Sequence, residues 1–94
     1  MNKAQLIDRV ARDTGLTKAD SLRVIDAFLQ NVTKSLRRGE KVTLVGFGTF
    51  QTARRVARTG RNPRTGIPIR IDARRVPKFV PGKELKDEVG HRPN

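Results

Sequence analysis

The 94-residue chain carries 21 Lys and Arg against 9 Asp and Glu, a formal charge of +12, so its expected partners are polyanions. With 35% hydrophobic residues, four Phe and no Trp, Tyr or Cys, it has too little apolar mass for a large cavity-bearing enzyme and no means to build a disulfide framework or a thiolate metal site. Its longest stretch free of charge and proline, Val42 to Ala53, contains Gly46 and Gly48 and falls short of the roughly 18 apolar residues a spanning helix needs.

The opening segment, with Lys3, Asp8, Arg9, Arg12 and Asp13 close together, does not read as a signal peptide, and a soluble cytoplasmic protein is expected. Asn2 followed by Gln5 has capping-box spacing, and Leu6, Ile7, Val10 and Ala11 recur at helical period until Gly15, a suitable left-handed stop. A second helix is predicted from Thr17, with Asp20 in its first turn and an apolar stripe of Leu22, Ile25, Phe28, Leu29, Val32 and Leu36 that ends at Gly39. Asp8, Arg12, Arg23, Asp26, Gln30 and Lys34 fall on the other faces as ordinary solvated positions.

From Lys41 the period changes to two, and β-branched residues run through Thr52, which predicts a strand pair around Gly46-Phe47-Gly48 with Phe47 and Phe50 as core anchors. These glycines do not make a dinucleotide loop, because Gln51 stands where the third glycine belongs. Between 51 and 78 lie nine basic residues and one acid, Arg54, Arg55, Arg58, Arg61, Arg64, Arg70, Arg74 and Arg75 among them. Val56 before the turn residues and Ile67, Ile69 and Ile71 after them predict a long β-ribbon with its tip near Asn62-Pro63, and Pro68 fits an isolated two-stranded arm. Val76 to Pro81 returns through Phe79, and a short helix over 82–89 pairs Leu85 with Val89 and exposes Lys83 and Lys86.

The organisation expected is one domain over 1–90: a helical dimerisation part at 1–40, a sheet at 41–81 with its arm at 53–76, a C-terminal helix at 82–89, and a tail at 90–94. Without the arm about 70 residues remain, near the lower limit for a core with no staples, so pairing with a second copy is the simplest way to bury the stripe. Phe28, Leu29, Val32, Leu36, Leu44, Phe47, Phe50 and Phe79 form the expected dimer core. His91 is the sole His, so no nucleophile-base pair or metal shell is expected, and Gly60 to Gly66 lacks both the spacing and the Lys of a phosphate loop. No enzyme activity, cofactor or small-molecule substrate is anticipated.

Any one of the arginines is explained by a solvated surface; eight of them with hardly an acid nearby point to phosphate. A two-stranded ribbon fits a groove of duplex DNA, and the absence of aromatics in the ribbon argues against stacking on single strands. Pro63 between Arg61-Asn62 and Arg64 is an apolar group beside cations at a ribbon tip, the arrangement by which minor-groove architectural proteins unstack a base step. Lys3 in a helix's first turn opposes the helix dipole, which suggests that another partner favours it.

From Met1 to about Val89 the chain resembles the bacterial HU and integration host factor family of nucleoid proteins, and HU most closely. The resemblance rests on Asn2-Lys3, on Gly46-Phe47-Gly48-Thr49-Phe50, on the run from Arg58 to Gly66, and on Val76-Pro77-Lys78-Phe79-Val80-Pro81-Gly82-Lys83. It implies an α+β intertwined homodimer with a helical base and two β-arms that embrace the minor groove of double-stranded DNA, bend and compact it, and prefer bent or nicked duplexes. It further implies that Pro63 intercalates, that Arg55, Arg58, Arg61, Asn62 and Arg64 line the arm, and that Lys3, Lys83 and Lys86 meet phosphates on the body. Arg54, Arg70 and Arg75 join the DNA-binding set as arginines of the same ribbon. Arg74-Arg75 and the tail from His91 to Asn94 are less typical of HU, and Arg74-Arg75 is similar to an integration host factor subunit.

Two alternatives follow. One is a sequence-preferring, integration-host-factor-like subunit that pairs with a paralogue. The other is a small basic RNA-binding protein, which the deep narrow groove of A-form RNA disfavours for a ribbon reader. A cationic membrane-surface peptide fits less well, because the basic segment has no large opposing apolar face.

Overall fold

The computed structural model describes residues 1–90 as three helices and five strands. These fall into two units, residues 1–35 and the remainder of the chain. Among the described residues no helix is long and apolar enough to cross a membrane.

The first unit holds α1 (Lys3–Thr14) and most of α2 (Lys18–Arg37). The capping box forms as expected: the Gln5 amide N–H donates to Asn2 Oδ1 at 2.9 Å and the Asn2 amide donates to Gln5 Oε1 at 3.0 Å. Gly15 closes α1 at φ 74°, where its N–H reaches the Ala11 carbonyl and a side chain would be strained. Thr17 opens α2 by accepting the Asp20 amide N–H at 3.0 Å. Two ion pairs link the helices, Lys3 with Asp26 and Lys18 with Asp8.

The stripe expected on α2 does not reach a core within one chain. Ile25, Val32 and Leu36 are half-buried, whereas Leu22, Phe28 and Leu29 are exposed; Ser21 is the one fully buried side chain among the described residues.

The second unit is built on a three-stranded antiparallel sheet of β1 (Val42–Leu44), β2 (Gly48–Arg55) and β5 (Arg74–Pro81), in the order β1-β2-β5. Directly opposite residues share a face in an antiparallel pair, and alternate residues along a strand return to it. The pairs Val42 with Phe50, Phe50 with Phe79 and Leu44 with Gly48 therefore gather one apolar face. Phe79 stacks on both Phe50 and Phe47, with ring centroids 4.9 and 5.4 Å apart. Thr43, Thr49, Gln51 and Lys78 lie on the other face, where Thr49 donates to Thr43 across the strands. Gly46 turns the chain between β1 and β2 at φ 84°.

Gly48 is required by packing. A Cβ there would lie 2.6 Å from the Phe79 ring and 2.7 Å from the Val80 carbonyl oxygen, and the backbone atom cannot swing away. Gly48→Ala is expected to cost about 1–3 kcal/mol, as overpacking does, read as a lower urea midpoint. An unchanged midpoint would mean that the strands part there at little cost.

Beyond Phe50 the sheet narrows to β2 and β5 alone, paired from Gln51 and Lys78 outward, a stretch that contains the arm expected at 53–76. It is also interrupted. β2 and β5 pair as far as Arg55 with Arg74; β3 (Arg58–Arg61) and β4 (Pro68–Ile71) then form a separate ladder from Arg58–Ile71 to Arg61–Pro68. Val56-Ala57 and Asp72-Ala73 are skipped, two residues on each strand, so the register is the same on both sides of the break. The turn is centred on Arg64-Thr65, with Pro63 on its first limb, and not on Asn62-Pro63 as the turn residues suggested.

The last helix, α3 (Lys83–Gly90), starts and ends one residue later than predicted. Leu85 is half-buried but Val89 is exposed, so the expected apolar pair is half realised. Gly90 closes the helix instead of opening a tail, and the tail residues His91 to Asn94 lie outside the described residues.

Candidate nucleic-acid interface

The arm concentrates cation in register. Arg54 lies opposite Arg75 and Arg55 opposite Arg74, two like-charge pairs that point to opposite faces of the ribbon. Like charges placed directly opposite destabilise a sheet. The acid available to the ribbon is Asp72, which sits in the break and pairs with Arg70 at 3.6 Å, both largely exposed. Four arginines at the base of an arm with so little counter-charge define a surface that an anion would stabilise.

In the outer ladder the two faces differ. Arg58, Gly60, Ile69 and Ile71 share one face; Thr59, Arg61, Pro68 and Arg70 share the other. The Ile71 side chain lies over Gly60, where a Cβ would meet it at 3.1 Å. Arg58, Arg61, Arg64, Pro63 and Arg70 are all exposed. Asn62 alone in the segment from Arg61 to Ile67 is half-buried.

Arg75, like Arg70, has another engagement within the chain. Its Nη2 donates to the Arg37 carbonyl at 3.0 Å, serving an open carbonyl at the end of α2, and Gly39 follows at φ 77° with no Cβ to block the guanidinium. Arg74, which sequence reasoning left out of the site, is exposed opposite Arg55. What separates these neighbours is the Arg37 carbonyl, which Arg75 reaches and no local signal in the sequence announces.

Lys3 stands in the first turn of α1, and its Nζ lies 2.6 Å from Asp26 Oδ1. That carboxylate accounts for a cation in an unfavourable dipole position without a further partner. Lys83 and Lys86 are exposed on α3, where Asp87, four residues after Lys83, shares the Lys83 face while Glu84 and Glu88 lie to another side. The acidic side of α3 borders a shallow depression with Gly46.

A sequence profile of the family described as bacterial DNA-binding protein matches residues 1–90. The chain is 51% identical over 89 residues to DNA-binding protein HU of Geobacillus stearothermophilus, covering 95% of this chain and 99% of that protein. It is 54% identical over 89 residues to DNA-binding protein HU-beta of Escherichia coli K12, with the same coverage. Among solved structures it is similar to an Anabaena HU–DNA cocrystal structure, at a TM-score of 0.91 and 44% identity, covering 95% of this chain and 97% of that one. It is also similar to HU from Thermotoga maritima, at a TM-score of 0.68 and 39% identity, covering 95% and 98%.

Proposed function

The chain belongs to the HU group of the bacterial DNA-binding protein family, and from that premise we propose that it is a non-catalytic architectural protein that binds duplex DNA with low sequence specificity and bends and compacts it. The observation that carries this reading is the in-register arginine arm, whose like-charge pairs need an anionic partner. Arg54, Arg55, Arg58, Arg61, Arg64 and Arg70 follow the minor groove, and Arg74 joins them in place of part of Arg75. Lys83 and Lys86 meet phosphates on the body, and Lys3 does so by exchanging Asp26 for a phosphate oxygen. Low specificity follows from this chemistry, because phosphate contacts carry no sequence information and the minor-groove pattern is degenerate. The working unit is a homodimer on the nucleoid in the bacterial cytoplasm, formed by closing the exposed faces of α2 and of the Phe47, Phe50 and Phe79 sheet on a second copy.

Pro63 wedges between base pairs. Unstacking a step costs a few kcal/mol, regained as the kinked duplex brings more phosphates to the body, so nicked or pre-bent DNA should bind more tightly than intact linear duplex. Pro63→Ala is expected to reduce the bend read by energy transfer between duplex ends while leaving much of the affinity, since Arg55, Arg58 and Arg61 remain. A variant that bends DNA as strongly as the parent, with the same preference for nicked duplex, would make Pro63 a turn residue only. Comparable binding to random and chosen duplexes, with duplex RNA competing weakly, is expected of the same protein.

A further inference from the structure

We propose that Asn62 is the positioning residue that makes Pro63 a rigid wedge, acting on the arm's own backbone and not by touching DNA. The proposal rests on the wedge reading of Pro63. Three hydrogen bonds converge on Asn62. Its N–H donates to the Ile67 carbonyl at 2.9 Å, its carbonyl accepts the Gly66 N–H at 2.7 Å, and its Oδ1 accepts the Arg64 N–H at 2.8 Å.

The last two bonds hold the peptide planes on either side of Pro63. The plane that enters the proline ends in the Asn62 carbonyl, which Gly66 holds; the plane that leaves it carries the Arg64 N–H, which Asn62 Oδ1 holds. The ring itself fixes φ near −65°. Pro63 therefore keeps no soft backbone torsion, although it is exposed at the end of a two-stranded ribbon. Gly66 supplies the left-handed residue that brings its N–H back to Asn62, at φ 72°. Asn62 is the half-buried residue of this segment, and its Oδ1 is turned to the Arg64 N–H. A group that enters a base step loses less freedom when it is already held, so this arrangement favours insertion over deflection of the tip.

The test compares the full-length parent with Asn62→Ala, Asn62→Ser, Pro63→Ala and the double variant Asn62→Ala/Pro63→Ala on intact and nicked duplexes. The readouts are end-to-end energy transfer, affinity and the slope of affinity against salt, with melting curves to show that the body is intact. Asn62→Ala should lose the bend nearly as Pro63→Ala does, with the preference for nicked duplex falling roughly tenfold and the salt slope unchanged. Ser keeps an oxygen that can accept the Arg64 N–H, as serine turns do more weakly, so Asn62→Ser should restore most of the bend. The double variant should behave like Pro63→Ala alone, because both changes remove one wedge.

If Pro63→Ala loses the bend while Asn62→Ala keeps it, the wedge stands and the positioning role falls. Losses that add in the double variant, or a serine that restores nothing, would assign Asn62 to direct contact with DNA and overturn the proposal. If Pro63→Ala bends DNA like the parent, the wedge reading itself fails and takes this one with it.

Discussion

Raising the salt concentration from 50 to 200 mM should weaken duplex binding about 10³- to 10⁵-fold, provided about 6–10 phosphates are contacted. The stretch from 51 to 78 has nine basic residues and one acid, and a homodimer doubles that number. Apart from Arg70 beside Asp72 and Arg75 on the Arg37 carbonyl, the arm's arginines are solvated in the free protein, so their contribution comes from counterions released by DNA. Arg58→Ala with Arg61→Ala should lower the slope of log affinity against log salt by about two per arm, and by a similar amount on every duplex sequence. Arg75→Ala should change the slope less than Arg74→Ala, because the Arg75 guanidinium is already bonded to the Arg37 carbonyl. A flat salt response, or a double variant with the parent's slope, would remove the arm from the binding surface.

The contrast between Arg74 and Arg75 shows where the sequence was informative and where it was not. Local signals were legible because their physics is local: Asn2 with Gln5, Gly15 and Thr17 mark helix ends through bonds that span three or four residues, and each is present. The ribbon was legible for the same reason, since Pro68 and the turn residues restrict only their own strands. The register and the break after Arg55 were not, because they depend on how two strands some twenty residues apart align. The role of Asn62 was hidden for another reason: its bonds are local, but the family resemblance puts the residue on the arm surface, whereas it spends its carbonyl and side-chain oxygen on the turn. The acid beside Lys3 was in plain view as Asp26, but only folding α2 against α1 joins them.

Phe79→Ala is expected to destabilise the protein by about 3–5 kcal/mol, the cost of deleting a fully buried aromatic side chain. Within one chain that magnitude is not available, since Phe79 is 38% exposed and its neighbour Phe47 is 45% exposed even though their rings are stacked. Half-exposed rings lose correspondingly less apolar burial when truncated. The full cost therefore requires a second copy to cover the Phe47, Phe50 and Phe79 face and the stripe that includes Phe28 and Leu29. Leu36, Val32 and Leu44 are half-buried already within the single chain. If folding and pairing are one event, a hundredfold dilution removes about 2.8 kcal/mol of stability, and the melting temperature must fall with concentration. Phe79→Ala should steepen the problem by lowering the concentration-corrected midpoint without changing its dependence on dilution. A melting temperature constant across that dilution, with monomer mass in solution and a cost below about 1 kcal/mol for Phe79→Ala, would leave the apolar face as open surface and the homodimer without support.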